Sequence, residues 1–122
     1  MKRIFLVDDS TTMLMSLEGI LKKAGFEVDK ATSGPQALER LKGNKPDLLI
    51  TDLNMPGMDG ITLIGEVRRL PGMRFMPILM LTTESQQSKR QEAKAAGATG
   101  WLVKPVKPDQ LLQVIRQVVP GA

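Results

Sequence analysis

The chain is predicted to fold as a doubly wound α/β domain, a parallel sheet of five strands with helices on both faces. Short runs of Val, Ile and Leu alternate five times with stretches of helical period, in the order βαβαβαβαβα. Two of those runs, DLLITD and MPILMLT, are apolar at almost every position, as in strands covered on both sides. A length of 122 residues, 42% of them hydrophobic, suits one domain spanning 1–122 with one core.

RIFLVDD (3–9) is a short apolar run that ends in two acids. STTMLMSLEGILKKAG (10–25) opens with capping hydroxyls and places apolar residues at 13, 14, 17, 20, 21 and 24. Lys22, Lys23 and Gly25 close it as a helix end. Gly19 costs this helix about 1 kcal/mol relative to Ala, so packing must hold it. FEVDKA (26–31) alternates as a strand, and GPQALERLKG (34–43) puts Ala37, Leu38 and Leu41 on one helical face. DLLITD (47–52) is a buried strand between two acids. GITLIGEVRRL (60–70) is helical, with Ile61, Ile64, Val67 and Leu70 three apart, and MPILMLT (76–82) is another buried strand. ESQQSKRQEAKAAG (84–97) is helical by propensity, with little apolar surface beyond Ala93, Ala95 and Ala96. TGWLVK (99–104) is a short strand, and KPDQLLQVIRQVV (107–119) carries a stripe at 111, 112, 115, 118 and 119.

Composition narrows the chemistry. There is no Cys and no His, so thiolate metal sites and the commonest general base are excluded. No apolar run reaches membrane-spanning length, and the apolar run after Met1 is too short for a signal peptide. The default is a cytoplasmic protein with no membrane partner. The net charge is +4, with basic residues in the pairs Lys22-Lys23, Arg68-Arg69 and Lys89-Arg90. With three Phe and one Trp, these pairs read as solvated surface rather than a nucleic-acid footprint. The Met residues read as core filler.

In an open parallel sheet, ligands gather at the carboxyl ends of the strands. Here the first strand ends on Asp8-Asp9, the third on Asp52, the fourth on Thr82-Thr83 and the fifth on Lys104-Pro105. If the first and third strands are neighbours, Asp8, Asp9 and Asp52 converge. Two carboxylates about 4 Å apart repel by on the order of 4 kcal/mol at an effective dielectric of roughly 20. A hard divalent cation removes that cost, and oxygen-only ligands favour Mg²⁺. With Lys104 as cation and Thr82 as hydroxyl donor, the cluster suits a phosphoryl group, which a carboxylate can carry as an acyl phosphate.

VDDS (7–10), DLNMPGMDG (52–60), LTTES (81–85) and GWLVKP (100–105) occur in order and at suitable intervals. Together they resemble the receiver domain of bacterial response regulators, in particular the single-domain chemotaxis (CheY-like) type. The resemblance covers essentially the whole chain and implies a strand order of 2-1-3-4-5. It implies that Asp52 accepts the phosphoryl group. Asp9 and Asp52 would ligate Mg²⁺ directly, Asp8 mostly through water, and the backbone carbonyl of Asn54 would add a ligand. Lys104 would pair with phosphoryl oxygens, and Thr82 would swing in toward them, with the amide of Thr83 nearby. Trp101 stands where the family has a switch aromatic, and Lys104-Pro105 is a candidate cis peptide. Asn54 and Glu84 stand at positions that set the lifetime of the phosphoryl state. Met55-Pro56-Gly57 would shape the rim, and Gly60 would permit the turn into the third helix.

The implied partners are a histidine kinase of the chemotaxis type and an output target such as a flagellar motor switch protein. A phosphatase could act as well. The protein would be a monomer with no output domain attached. The segment 84–97 with the last strand and helix would form the output face, exposing Gln86, Gln87, Lys89, Arg90, Lys94, Val106 and Lys107. A type IV pilus pathway or a phosphate sink is the alternative within the class. Outside it stand a Mg²⁺-dependent aspartyl phosphatase, which wants Asp-x-Asp after the first strand, and a flavodoxin-like cofactor binder, which wants a phosphate loop there. Independent substrate turnover is not expected.

Overall fold

The computed structural model describes residues 2–122, with residues 84 and 85 described by their backbone alone. Its strands are β1 (Arg3–Val7), β2 (Glu27–Ala31), β3 (Leu48–Asp52), β4 (Ile78–Thr82) and β5 (Gly100–Val103). Its α-helices are α1 (Thr11–Lys23), α2 (Gly34–Leu41), α3 (Gly60–Arg69), α4 (Arg90–Ala96) and α5 (Pro108–Val118). All paired strands are parallel, in the order β2-β1-β3-β4-β5. Alternation and strand order are thus as expected.

The strand period of two sorts the core into two layers. Ile4, Leu6, Leu48, Ile50, Leu79, Leu81 and Leu102 pack against Leu14, Leu17 and Leu21 of α1 and Leu111 and Ile115 of α5. Phe5, Val7, Leu49, Ile78 and Met80 pack against α2, α3 and α4 through Ala37, Leu41, Leu63, Ile64, Val67 and Ala93. Every residue of β3 and β4 is buried, which explains why they are apolar up to their polar ends. β2, at an edge, keeps only Ala31 buried.

Three helix starts are capped by side chains, the first of them by a hydroxyl as its sequence suggests. Ser10 Oγ accepts from the Met13 N–H, Ser33 Oγ from Gln36 and Asp59 Oδ1 from Thr62, at 3.2, 3.3 and 2.8 Å. The Cβ position of Gly19 faces open space. The three buried leucines of α1 offset its cost, at about 1.5–3 kcal/mol each. Ala24, read as part of the apolar stripe, is exposed, and so is Met15 at 69%, unlike the core methionines Met55, Met73, Met76 and Met80.

The segment 84–97 departs from the single helix expected. It is a 3₁₀ helix, Glu84–Lys89, followed by α4. The first part offers no apolar side chain to bury, so no packing selects the α-helical pitch. Thr83 and Gln86 form a capping box that closes the tight first turn, with the Thr83 N–H donating to Gln86 Oε1 at 2.8 Å. α4 buries Ala93, while Ala95 is exposed.

Arg68 also departs from its reading as solvated surface. It is half-buried. Its Nε and one terminal nitrogen donate to the Gly97 carbonyl at 3.1 and 2.6 Å, and the other donates to Met73 and Met76 at 2.8 and 2.6 Å. This fork ties α3 to the turns before β4 and β5. Arg68→Ala should therefore destabilise the fold by about 2–3 kcal/mol, since hydrogen bonds to a charged group are lost and carbonyls are left bare. Arg68→Lys should recover little, because one ammonium cannot span three carbonyls. Urea unfolding of the three proteins checks this.

Candidate functional site

β1 and β3 are neighbours, so their carboxyl ends lie side by side. Asp8, Asp9 and Asp52 each offer a carboxylate oxygen within 4.8 Å of the others. Asp8 and Asp52 are buried and Asp9 is exposed, which leaves the cluster one open side. By the strand period, Asp8, Asp52 and Lys104 share the parity of Leu6, Ile50 and Leu102. Lys104 Nζ accordingly lies 2.9 Å from Asp52 Oδ1 and 3.7 Å from Asp8 Oδ2.

Backbone donors fix the two buried acids. The Ser10 N–H donates to Asp8 Oδ1 at 2.9 Å, and the Leu53 N–H donates to Asp52 Oδ1 at 3.0 Å. Asp52 Oδ1 thus takes both Lys104 and Leu53, which leaves its second oxygen clear of those contacts. Burial, chiefly, pushes the Asp8 carboxyl above its ordinary range, with the Asp52 and Asp9 charges adding to the rise. The Ser10 amide and Lys104 work against it.

That direction has a consequence for stability. The folded protein holds the Asp8 proton at pH values where the unfolded chain has released it. The favourable contribution is present at low pH and is lost as pH rises through the folded value. In chelator at neutral pH, Asp8→Asn should therefore raise the melting temperature. Asn keeps the acceptor for Ser10 and removes the buried charge. The gain should vanish as pH falls into the ordinary carboxylate range, and melting curves across pH test it.

Thr82 ends β4 with 1% exposure, and its hydroxyl finds no hydrogen-bond partner among the described residues. The Lys104 N–H donates to the Thr82 carbonyl at 2.7 Å, which sets these two residues at one sheet edge. The Lys104–Pro105 peptide is cis. Thr83 is half-buried at the head of the 3₁₀ helix. Asn54 is exposed and helps to line a cavity of about 250 Å³ with Asp59, Gln86, Ser88 and Lys89. The side chain of Glu84 lies outside the described residues.

Trp101 pairs with Met80 in the sheet and packs, half-buried, on the face that carries α4. It is therefore on the opposite parity from the charged cluster. Of the side chains expected to be exposed, Lys89, Lys94 and Lys107 are. Gln86, Gln87 and Arg90 are half-buried instead, and Val106 packs on the α1 and α5 layer. Arg90 lies over the Trp101 ring, its guanidinium carbon 4.8 Å from the centroid. As one member of a Lys-Arg pair it carries no sequence signal of that contact.

Gly60 serves the site by a different route from the turn expected of it. Its φ is not among the positive ones. A Cβ there would stand 2.3 Å from the Asp52 carbonyl oxygen. Its own N–H donates to the Leu53 carbonyl at 2.8 Å, so α3 starts hard against the end of β3.

The donor set fits a hard divalent cation. It is all oxygen, it carries three formal negative charges against one Lys, and it includes a buried carboxylate oxygen, Asp8 Oδ2, that lacks a hydrogen bond among the described residues.

Comparison with known proteins agrees with this geometry. Residues 4–116 match the family of the response regulator receiver domain. The chain is 40% identical over 118 residues to the chemotaxis protein CheY of Bacillus subtilis, covering 96% of this chain and 97% of that protein. It is 33% identical over 121 residues to the protein PilH of Pseudomonas aeruginosa, covering 99% and 100%. The structure of the chemotaxis response regulator CheY4 of Vibrio cholerae superimposes with a TM-score of 0.92 at 43% identity, over 98% of this chain and 99% of that one.

Proposed function

Because the chain belongs to the response regulator receiver domain family, we propose that it is a phosphorylation-activated switch whose acceptor is Asp52. The observation that carries this reading is the convergence of Lys104 Nζ on Asp52 Oδ1 at 2.9 Å beside two further carboxylates. In this reading, the oxygen of Asp52 not held by Lys104 and Leu53 attacks the phosphorus of a phosphohistidine on a kinase. The new O–P bond forms as the P–N bond breaks, and the imidazole leaves and takes a proton from solvent. Attack by water later breaks the acyl phosphate, releasing inorganic phosphate and restoring the carboxylate.

Asp9, Asp52 and the backbone carbonyl of Asn54 would hold Mg²⁺, with Asp8 acting through water. When bound, the ion supplies positive charge against the carboxylates and the phosphoryl oxygens. Lys104 holds a phosphoryl oxygen by charge, and the free hydroxyl of Thr82 has a partner to gain. Asn54 and Glu84 would tune the lifetime, as the family resemblance implies for their positions.

The output is binding, most economically to a chemotaxis component such as the flagellar motor switch, in keeping with the CheY relatives. The PilH relative favours a second reading, a receiver in a pilus pathway. The test is Trp101 emission during titration with Mg²⁺ and then beryllofluoride. A distinct beryllofluoride step supports the switch. Its absence, together with no mass gain from acetyl phosphate, overturns it.

A further inference from the structure

We infer that Arg90 is a clasp on Trp101, holding the indole in the resting arrangement and opposing the switch, so that its release favours the phosphorylated state. The inference rests on the reading of Asp52 as acceptor. It starts from the place of Arg90 in the chain. Arg90 is the residue at which the 3₁₀ helix gives way to α4. That helix begins directly after Thr82-Thr83, so a movement of Thr82 is passed along one short segment to Arg90. A 3₁₀ stretch has poorer hydrogen-bond geometry than an α-helix and marks a place where the chain bends cheaply.

The second observation is the contact itself. The guanidinium carbon lies 4.8 Å from the Trp101 centroid, within cation–π range. Trp is the aromatic with the strongest attraction for a cation. Both side chains are half-buried, so part of the contact is screened from water.

The third observation makes the contact releasable. Arg90 Nε is buried and finds no hydrogen-bond partner among the described residues. Such a group carries a desolvation cost that works against the attraction of the ring. Stacking holds the guanidinium in place while its unpaired nitrogen favours departure. The unpaired nitrogen offsets part of the stacking, so the clasp holds and can still open.

The fourth observation joins the clasp to the site. Thr82 also has a buried hydroxyl without a hydrogen bond among the described residues, and it shares its sheet parity with Met80, the strand partner of Trp101. A phosphoryl oxygen near Asp52 gives Thr82 a partner. The backbone that follows then shifts, and Arg90 at its far end leaves the ring. α4 resists little, since Ala93 is its buried anchor.

The experiment compares native protein, Arg90→Leu and Arg90→Lys by acrylamide quenching of Trp101 emission and by beryllofluoride titration in saturating Mg²⁺. Arg90→Leu should make Trp101 more quenchable and lower the beryllofluoride midpoint about 2- to 5-fold, the range that a partly exposed cation–π contact implies. Arg90→Lys keeps a cation near the ring and should lie closer to native. If Arg90→Leu does not fold, Arg90→Gln takes its place. Unchanged quenching, or an unchanged midpoint despite changed quenching, overturns the clasp. A native protein with neither a beryllofluoride step nor a mass gain from acetyl phosphate overturns the acceptor reading and the clasp together, and a mass gain without any step overturns the clasp alone. A native step with variants identical to native overturns the clasp alone.

Discussion

Asp52→Asn is expected to abolish phosphoryl uptake and leave the fold intact. Asn is isosteric, and its oxygen still accepts from the Leu53 amide, now at 3.0 Å from Asp52 Oδ1. Lys104 keeps Asp8 as a partner at 3.7 Å. What is lost is the nucleophile, because a carboxamide forms no acyl phosphate under these conditions. The cluster also loses one of three negative charges, and Mg²⁺ affinity should fall by at least about tenfold, the smallest loss seen even for residues that only support metal ligands. Intact mass after incubation with acetyl phosphate reads the first effect, and Trp101 emission against Mg²⁺ reads the second. A variant that gains mass as fast as native protein would place the acceptor elsewhere in the cluster.

Gly60→Ala is expected to have the largest effect on stability of any single methyl added to this chain near the site. The new carbon would lie 2.3 Å from the Asp52 carbonyl oxygen and 3.1 Å from Leu53 Cα, both backbone atoms of buried residues. No side chain can turn away to make room. Either β3 or the start of α3 must shift, at a cost of about 3 kcal/mol. The shift also displaces Asp52 relative to Asp8 and Asp9, so Mg²⁺ binding should weaken in parallel. Gly65→Ala is the control. Its Cβ would meet nothing within 4 Å, and in mid-helix it should stabilise by about 0.5–1 kcal/mol. Denaturation midpoints of the two variants should move in opposite directions. A Gly60→Ala protein as stable as native would overturn the argument.

Much of the architecture was readable because a strand covered on both faces leaves a nearly continuous apolar run, as at 48–50 in Leu48–Asp52 and 78–81 in Ile78–Thr82. The acids stood out for the same reason. A carboxylate that ends such a run has no place in an apolar interior unless something there requires it. Other features depend on contacts between distant parts of the chain. The pairs Arg68-Arg69 and Lys89-Arg90 look alike as sequence, yet Arg68 grips three carbonyls and Arg90 covers an indole. Those partners come from loops and a strand that local pattern cannot join. Gly60 invites a reading in terms of turn conformation, while its need is proximity to a carbonyl. The 3₁₀ helix at Glu84–Lys89 is invisible to propensity, which ranks residues for helix without choosing its pitch.

The parity of the sheet carries a consequence for how such a protein can diversify. Asp8, Asp52 and Lys104 lie on one parity, and Thr82 and Trp101 lie on the other. The pleat is a partition one residue thick. Chemistry is confined to one side and readout to the other, and Thr82 at the rim is the channel between them. Substitutions on the α4 side that leave Arg90 and Trp101 in place can therefore re-address the signal to a new listener without retuning the charge balance at Asp52. A lineage could keep its transmitter and exchange its audience one surface residue at a time.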